Sequence, residues 1–148
     1  MRSRDSIQIV LRVRLQRERA EEWKLAAIHK QLRIAQTELA DLSTELKGIT
    51  VRRVSEIQNI VPNTHHQSVE ARSKLLWRRC ADQAAEIERL HEAHALQMSA
   101  YLSAHREREV MENLSRRNRD ALEAERLLRE RKLNEDLFLA RRVARWDM

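Results

Sequence analysis

Three histidines are the first residues in this chain whose types and spacing invite a chemical reading. The stretch HEAH puts His91 and His94 one helical turn apart, and His105 follows eleven residues after His94, so all three share one helix face. Imidazoles on one face are zinc-ligand chemistry. Zinc, however, needs convergent ligands backed by hydrogen-bonding partners, which a single exposed helix does not supply, and the HExxH spacing of zinc proteases is absent. Polar positions in a helix seam are the better reading, and no metal is expected. His65 and His66 read as turn residues. Cys80 is the only cysteine, which excludes an internal disulfide and leaves intermolecular pairing or an ordinary thiol, in keeping with a reducing compartment.

The second constellation is basic. Arg12, Arg14, Arg17 and Arg19 stand near the start of the chain and Arg141, Arg142 and Arg145 near its end. At one end of a folded molecule they would form a patch complementary to an acidic surface; the plainer alternative is a solvated face with helical partners such as Arg17 with Glu21. Trp23 and Trp77 are expected in or beside a seam, and Trp146 suits a partner-binding anchor. No Gly-rich phosphate loop, no concave pair of carboxylates and no nucleophile with a base is visible. The pattern argues against an enzyme, a cofactor and a small-molecule substrate.

The elements that position these residues are helices. Of 148 residues one is Gly and one Pro, aromatic residues make 3 %, and 35 % are charged. Ala, Leu, Arg, Glu, Lys and Gln dominate, the composition of long helices and coiled coils. No apolar run approaches the roughly 18 residues of a membrane span, and arginines interrupt the opening MRSRDSIQIVLRVRLQ where a signal peptide would be apolar. A cytoplasmic protein without membrane insertion is expected. The net charge of +6 divides as +3 over residues 1–24, +1 over 25–105 and +2 over 106–148, so both ends are basic.

Leu25, Ile28, Leu32, Ala35, Leu39, Leu42, Leu46 and Ile49 recur in steps of three and four, a heptad seam. Downstream, Leu76, Cys80, Ile87, Leu90, His94 and Tyr101 form a poorer one. Between them VPNTHHQ (61–67) loses both pattern and propensity at Pro62. The reading is all-α: two long helices in one antiparallel coiled-coil hairpin over 1–148, with a first arm over about 7–61, a turn at 62–67 and a second arm over about 68–146. Folding about the turn sets Leu39 against Leu90, Leu42 against Ile87, Ile28 against Tyr101 and Ile49 against Cys80. The longer second arm should overhang by roughly 24 residues, some 36 Å at 1.5 Å per residue. Within that overhang Leu133, Leu137, Ala140 and Ala144 make a stripe with no partner in the hairpin.

Two segments carry a family resemblance. LRVRLQRERAEEWKLA (11–26) resembles the opening of the coiled-coil stalk proteins of bacterial type III export machines, the flagellar FliJ family and its injectisome relatives of the YscO and HrpO type. RLLRERKLNEDLFLARRVAR (126–145) is similar to that family's closing segment. The resemblance implies a non-catalytic stalk and escort protein, cytoplasmic and peripheral to the export apparatus at the inner membrane. Its implied partners are the hexameric export ATPase, whose pore would take the paired termini, the export gate protein and secretion chaperones. On that reading the ATPase-binding residues are Arg12, Arg14, Arg17, Arg19, Leu133, Leu137, Arg141, Arg142, Arg145 and Trp146.

Two other classes compete. A generic structural coiled coil could self-associate and bury its weak second seam. A nucleic-acid binder is suggested by the isoelectric point of 10.2, but acids are interleaved nearly one for one with bases, whereas phosphate binding needs a largely unopposed basic stripe.

Overall fold

The computed structural model describes residues 2–57 and 63–147, with side chains over 4–55 and 65–147. Two helices make up the fold, α1 (Arg2–Ile57) and α2 (Asn63–Trp146), and their contacts are those of an antiparallel coiled-coil hairpin. Within α1 little resists helix formation. Thr37, Thr44 and Thr50 each donate their hydroxyl to the carbonyl four residues back, at 2.9–3.0 Å, which satisfies the side chain inside the helix. Gly48 has ordinary helical backbone and open space around it.

The element ends differ from expectation. α1 begins at Arg2 rather than near residue 7, and α2 begins at Asn63, so residues 63–67 are helical instead of turn. The breaking signal belongs to Pro62 alone, which lies outside the described residues. After it nothing up to Gln67 opposes a helix, and Asn63 and Thr64 are good residues to begin one.

The chain packs as two compact units, and the first comprises Arg19–Leu102. Its core is Leu32, Ala35 and Leu90, with Ile87 packed against them and Leu76 buried as well. The expected seam residues Leu25, Ile28, Leu39, Leu42, Leu46 and Tyr101 are half-buried. Their pairing is not the expected one: Leu90 meets Leu32 and Ala35 where Leu39 was expected, a shift of one heptad. Two glutamines supply the physical reason. Gln83 and Gln97 occupy seam positions two heptads apart, and their Nε2 groups donate to the carbonyls of Ala35 and Glu21, themselves two heptads apart, both at 3.1 Å. Each also reaches a carboxylate, that of Glu38 or Glu21. A glutamine partly removed from water costs about 1–3 kcal/mol if left unmet, and this register satisfies both. Arg72 with Glu45 at 2.5 Å adds an exposed pair in the same register.

Trp23 and Trp77 are 79 % and 64 % exposed, which corrects the expectation of a seam-edge location. The seam runs through Glu21 and Leu25 on α1 and through Leu76 and Cys80 on α2, so around the helix Trp23 points about 160° and Trp77 about 60–100° away from those positions.

The second unit comprises Met1–Glu18 with Ser103–Met148. Here α1 lies antiparallel to the stretch of α2 from residue 104 to 122. Ala104 and Met111 are buried, Ile7, Leu11 and Leu15 half-buried, and the remaining buried positions are Glu18 and Ser115. Gln8 donates to the Ser115 hydroxyl at 3.2 Å. A groove lined by Arg4, Ile7, Ser115, Asn118, Arg119 and Leu122 marks the far limit of pairing. From Arg119 to Asp147 every residue of α2 is exposed.

Candidate docking surface

The exposed tail is helical on local grounds. Glu125 with Arg129 at 2.7 Å and Arg126 with Glu130 at 3.7 Å are i,i+4 pairs, each contributing a few tenths of a kcal/mol. The helical bonding ends with the Asp147 amide donating to the Val143 carbonyl at 3.1 Å. Leu133, Leu137, Arg141, Arg142, Arg145 and Trp146 all stand in solvent, Trp146 at 79 %. Leu127, Leu128, Phe138, Leu139 and Val143 are exposed beside them. They lie outside the single stripe that a heptad search follows, so the sequence reading passed over them.

The tail's apolar stripe does not continue the seam of its own unit. Extending the line of Ala104, Arg108, Met111 and Ser115 by the same steps leads through Asn118, Leu122, Glu125, Arg129, Lys132 and Asp136, nearly all polar. Leu133 and Leu137 sit one residue over, about 100° around the helix. A helix extending α1 would leave them wet.

The arginines do not form the single cluster expected of them. Arg14 Nη1 donates to the Glu107 carbonyl at 3.0 Å and Arg17 lies 3.5 Å from the Glu107 carboxylate. Arg141 stands 34 residues farther along α2 than Glu107, about 51 Å at the helical rise. Arg12 is exposed on the paired stretch, and Arg19 is exposed in the other unit. Arg14 is half-buried and serves the seam.

A charged layer crosses the seam of this unit. Glu18, only 8 % exposed, accepts from Arg108 Nε and lies 2.8 Å from His105 Nδ1; Arg108 also reaches Glu112, and His105 Nε2 lies 3.2 Å from Glu109. Burial works to raise the Glu18 pKa, but the hydrogen bonds and charges of His105 and Arg108 outweigh it and hold the carboxyl below its ordinary value. The hydrogen bond to Glu18 raises the His105 pKa above its ordinary value, aided by the charges of Glu109 and Glu18. Arg108's own hydrogen bond to Glu18 raises its pKa in the same way. Charged residues at seam positions interrupt an apolar pattern, and so the expected seam ended before this layer.

The three histidines are dispersed. His105 serves the charged layer, the His94 ring centroid lies 6.2 Å from that of His29, and His91 is exposed. His65 and His66 are helical neighbours at the start of α2. Among the described residues no group of three His, Cys, Asp or Glu could hold a metal ion, and no helix is long and apolar enough to cross a membrane.

These features define a two-helix antiparallel coiled coil with a polar-layered seam and an exposed helical tail. The family model for the flagellar FliJ protein matches residues 3–145, and the chain belongs to that family. It is accordingly a component of the flagellar protein export apparatus. No curated protein and no solved structure matches the chain.

Proposed function

We propose that this chain is a non-catalytic stalk and escort protein of the export apparatus that docks on the hexameric export ATPase through the tail of α2. The observation that carries this reading is the tail itself: from Arg119 to Asp147 every residue is exposed, yet leucines, Phe138 and Trp146 recur along it at helical spacing. A helix with that much uncovered apolar surface gains stability only by burying it, at about 25 cal/mol per Å² removed from water. Arg141, Arg142 and Arg145, with no acid between residues 137 and 146, suit an acidic wall, where charge complementarity sets encounter rate and orientation. Family membership implies partners within the export apparatus, and the resemblance of both end segments to the family's stalk proteins supports reading them as the ATPase, the export gate protein and chaperones. On the same basis the protein acts in the cytoplasm, peripheral to the apparatus at the inner membrane, and delivers substrates.

Binding of the purified ATPase to the full chain and to a chain lacking residues 126–148 tests this. Loss of binding with an unchanged melting curve for the remaining hairpin is expected. Equal binding by the truncated chain would remove the tail as the docking element.

A further inference from the structure

The two units bury different things. Unit Arg19–Leu102 closes on Leu32, Ala35, Leu90 and Leu76, whereas the pairing of residues 4–18 with 104–122 buries a methyl group at Ala104, one Met111 and two polar residues, Glu18 and Ser115. Ile7, Leu11 and Leu15 are only half-buried there, and polar or charged links join the two helices: Gln8 with Ser115, Arg14 and Arg17 with Glu107, and Glu18 with His105 and Arg108. Glu109 and Glu112 complete the charged groups facing the layer from α2. Apolar burial is non-directional and tolerates small displacements; ionic and hydrogen-bonded layers hold in one geometry and let go when a member is lost. Glu18 is the keystone, because its carboxylate ties α1 to both Arg108 and His105, whose pairs with Glu112 and Glu109 stay within α2.

From this contrast we infer that the first eighteen residues form a releasable arm, latched onto α2 by the Glu18, His105 and Arg108 layer, which detaches while Arg19–Leu102 stays paired. Release uncovers Ala104, Met111 and Ser115. The single-helix part of α2 then reaches from about residue 104 to 146 instead of from about 122, lengthening from roughly 37 to 64 Å at 1.5 Å per residue. The arm therefore sets how much of α2 is presented to a partner. This inference concerns the free chain and does not depend on the ATPase reading.

Amide hydrogen exchange on the full chain tests the latch, with Glu18→Gln and Glu18→Leu as variants. Glu18→Gln should speed exchange of amides in 7–18 and 104–115 about tenfold or more while amides around Leu32 and Leu90 keep their protection, since local opening is read independently of the global transition. Glu18→Leu places an apolar residue in a heptad position beside Ala104 and should slow exchange in 7–18 below that of Glu18→Gln. Two results overturn the latch: unchanged exchange in 7–18 for Glu18→Gln, or an equal rise around Leu32 and Leu90, which would make opening global. Charge effects on intrinsic exchange rates are separated by Glu22→Gln, which removes an exposed carboxylate one helical turn along α1 from Glu18 and should change exchange less than Glu18→Gln does; an equal change also overturns the proposal.

Discussion

Glu18 Oε1 lies 2.8 Å from His105 Nδ1, across the seam between α1 and α2, and this pair makes the stability of its unit depend on pH. The Glu18 carboxyl is held below its ordinary value of 4.5, so its contribution is present above that pH and is lost as pH falls through the lowered value. The His105 imidazole is held above its ordinary 6.5, so its contribution is full below 6.5 and is lost as pH rises through the raised value. Pairing of residues 4–18 should therefore be strongest between about pH 4.5 and 6.5, by these two signs. Protection factors for amides 7–18, corrected for intrinsic chemistry, should be higher at pH 5.5 than at pH 8.5, and His105→Gln should flatten the difference. A profile that rises toward pH 8.5 would contradict the assignment.

The register can be read with one added thiol. Seven residues along from the layer of Ala35 and Ile87, Leu42 should face Cys80. Mild oxidation should thus link Leu42→Cys to Cys80 within one chain, while Ile49→Cys, one heptad away, should not form that link in yield, because a disulfide needs Cα atoms within about 7 Å. The reverse outcome would restore the register that the apolar pattern alone favours.

Leu32 and Leu90 are the two leucines of the core cluster around Ala35. Leu32→Ala or Leu90→Ala should each destabilise unit Arg19–Leu102 by about 2–4 kcal/mol in chemical denaturation. Leu39→Ala, at a half-buried position, should cost less, and Trp77→Ala, 64 % exposed, should stay within about 0.5 kcal/mol.

These positions also show how far the sequence could be read. The α1 seam from Leu25 to Ile49 was legible because apolar residues hold it without a break, and the exposed tail followed from the inequality of the two arms. The pairing was not legible, because Leu and Ile face one another acceptably in two registers a heptad apart, and the choice falls to Gln83 and Gln97, whose backbone acceptors on α1 carry no sequence signature. For the same reason the seam appeared to stop at Leu25. Its continuation toward Leu11 passes through Glu21, Glu18 and Arg14, and only the partners on α2 turn those charges into seam residues. An exact seven-residue step through Leu76, Gln83, Leu90, Gln97, Ala104 and Met111 was the signal available, hidden by its two glutamines and its alanine.

The tail makes the last prediction. Residues 123–146 are helical but touch no other part of the chain that would bury them, and isolated helices of this length are marginal in water even with favourable composition. In the free protein their amides should exchange quickly, as fast as those of a frayed helix, while amides around Leu32 and Leu90 are protected. Bound to the export ATPase, the amides of 133–146 should become protected and those around Leu32 and Leu90 should not change. Arg141→Glu combined with Arg142→Glu should slow association and reduce its salt dependence, since rim charges act on encounter more than on residence. Leu137→Ser should instead speed dissociation, since it removes apolar burial made only in the complex. Protection of the tail in the free monomer, independent of concentration and of any partner, would mean that the helix is stable by itself, and its exposed leucines would then need another explanation.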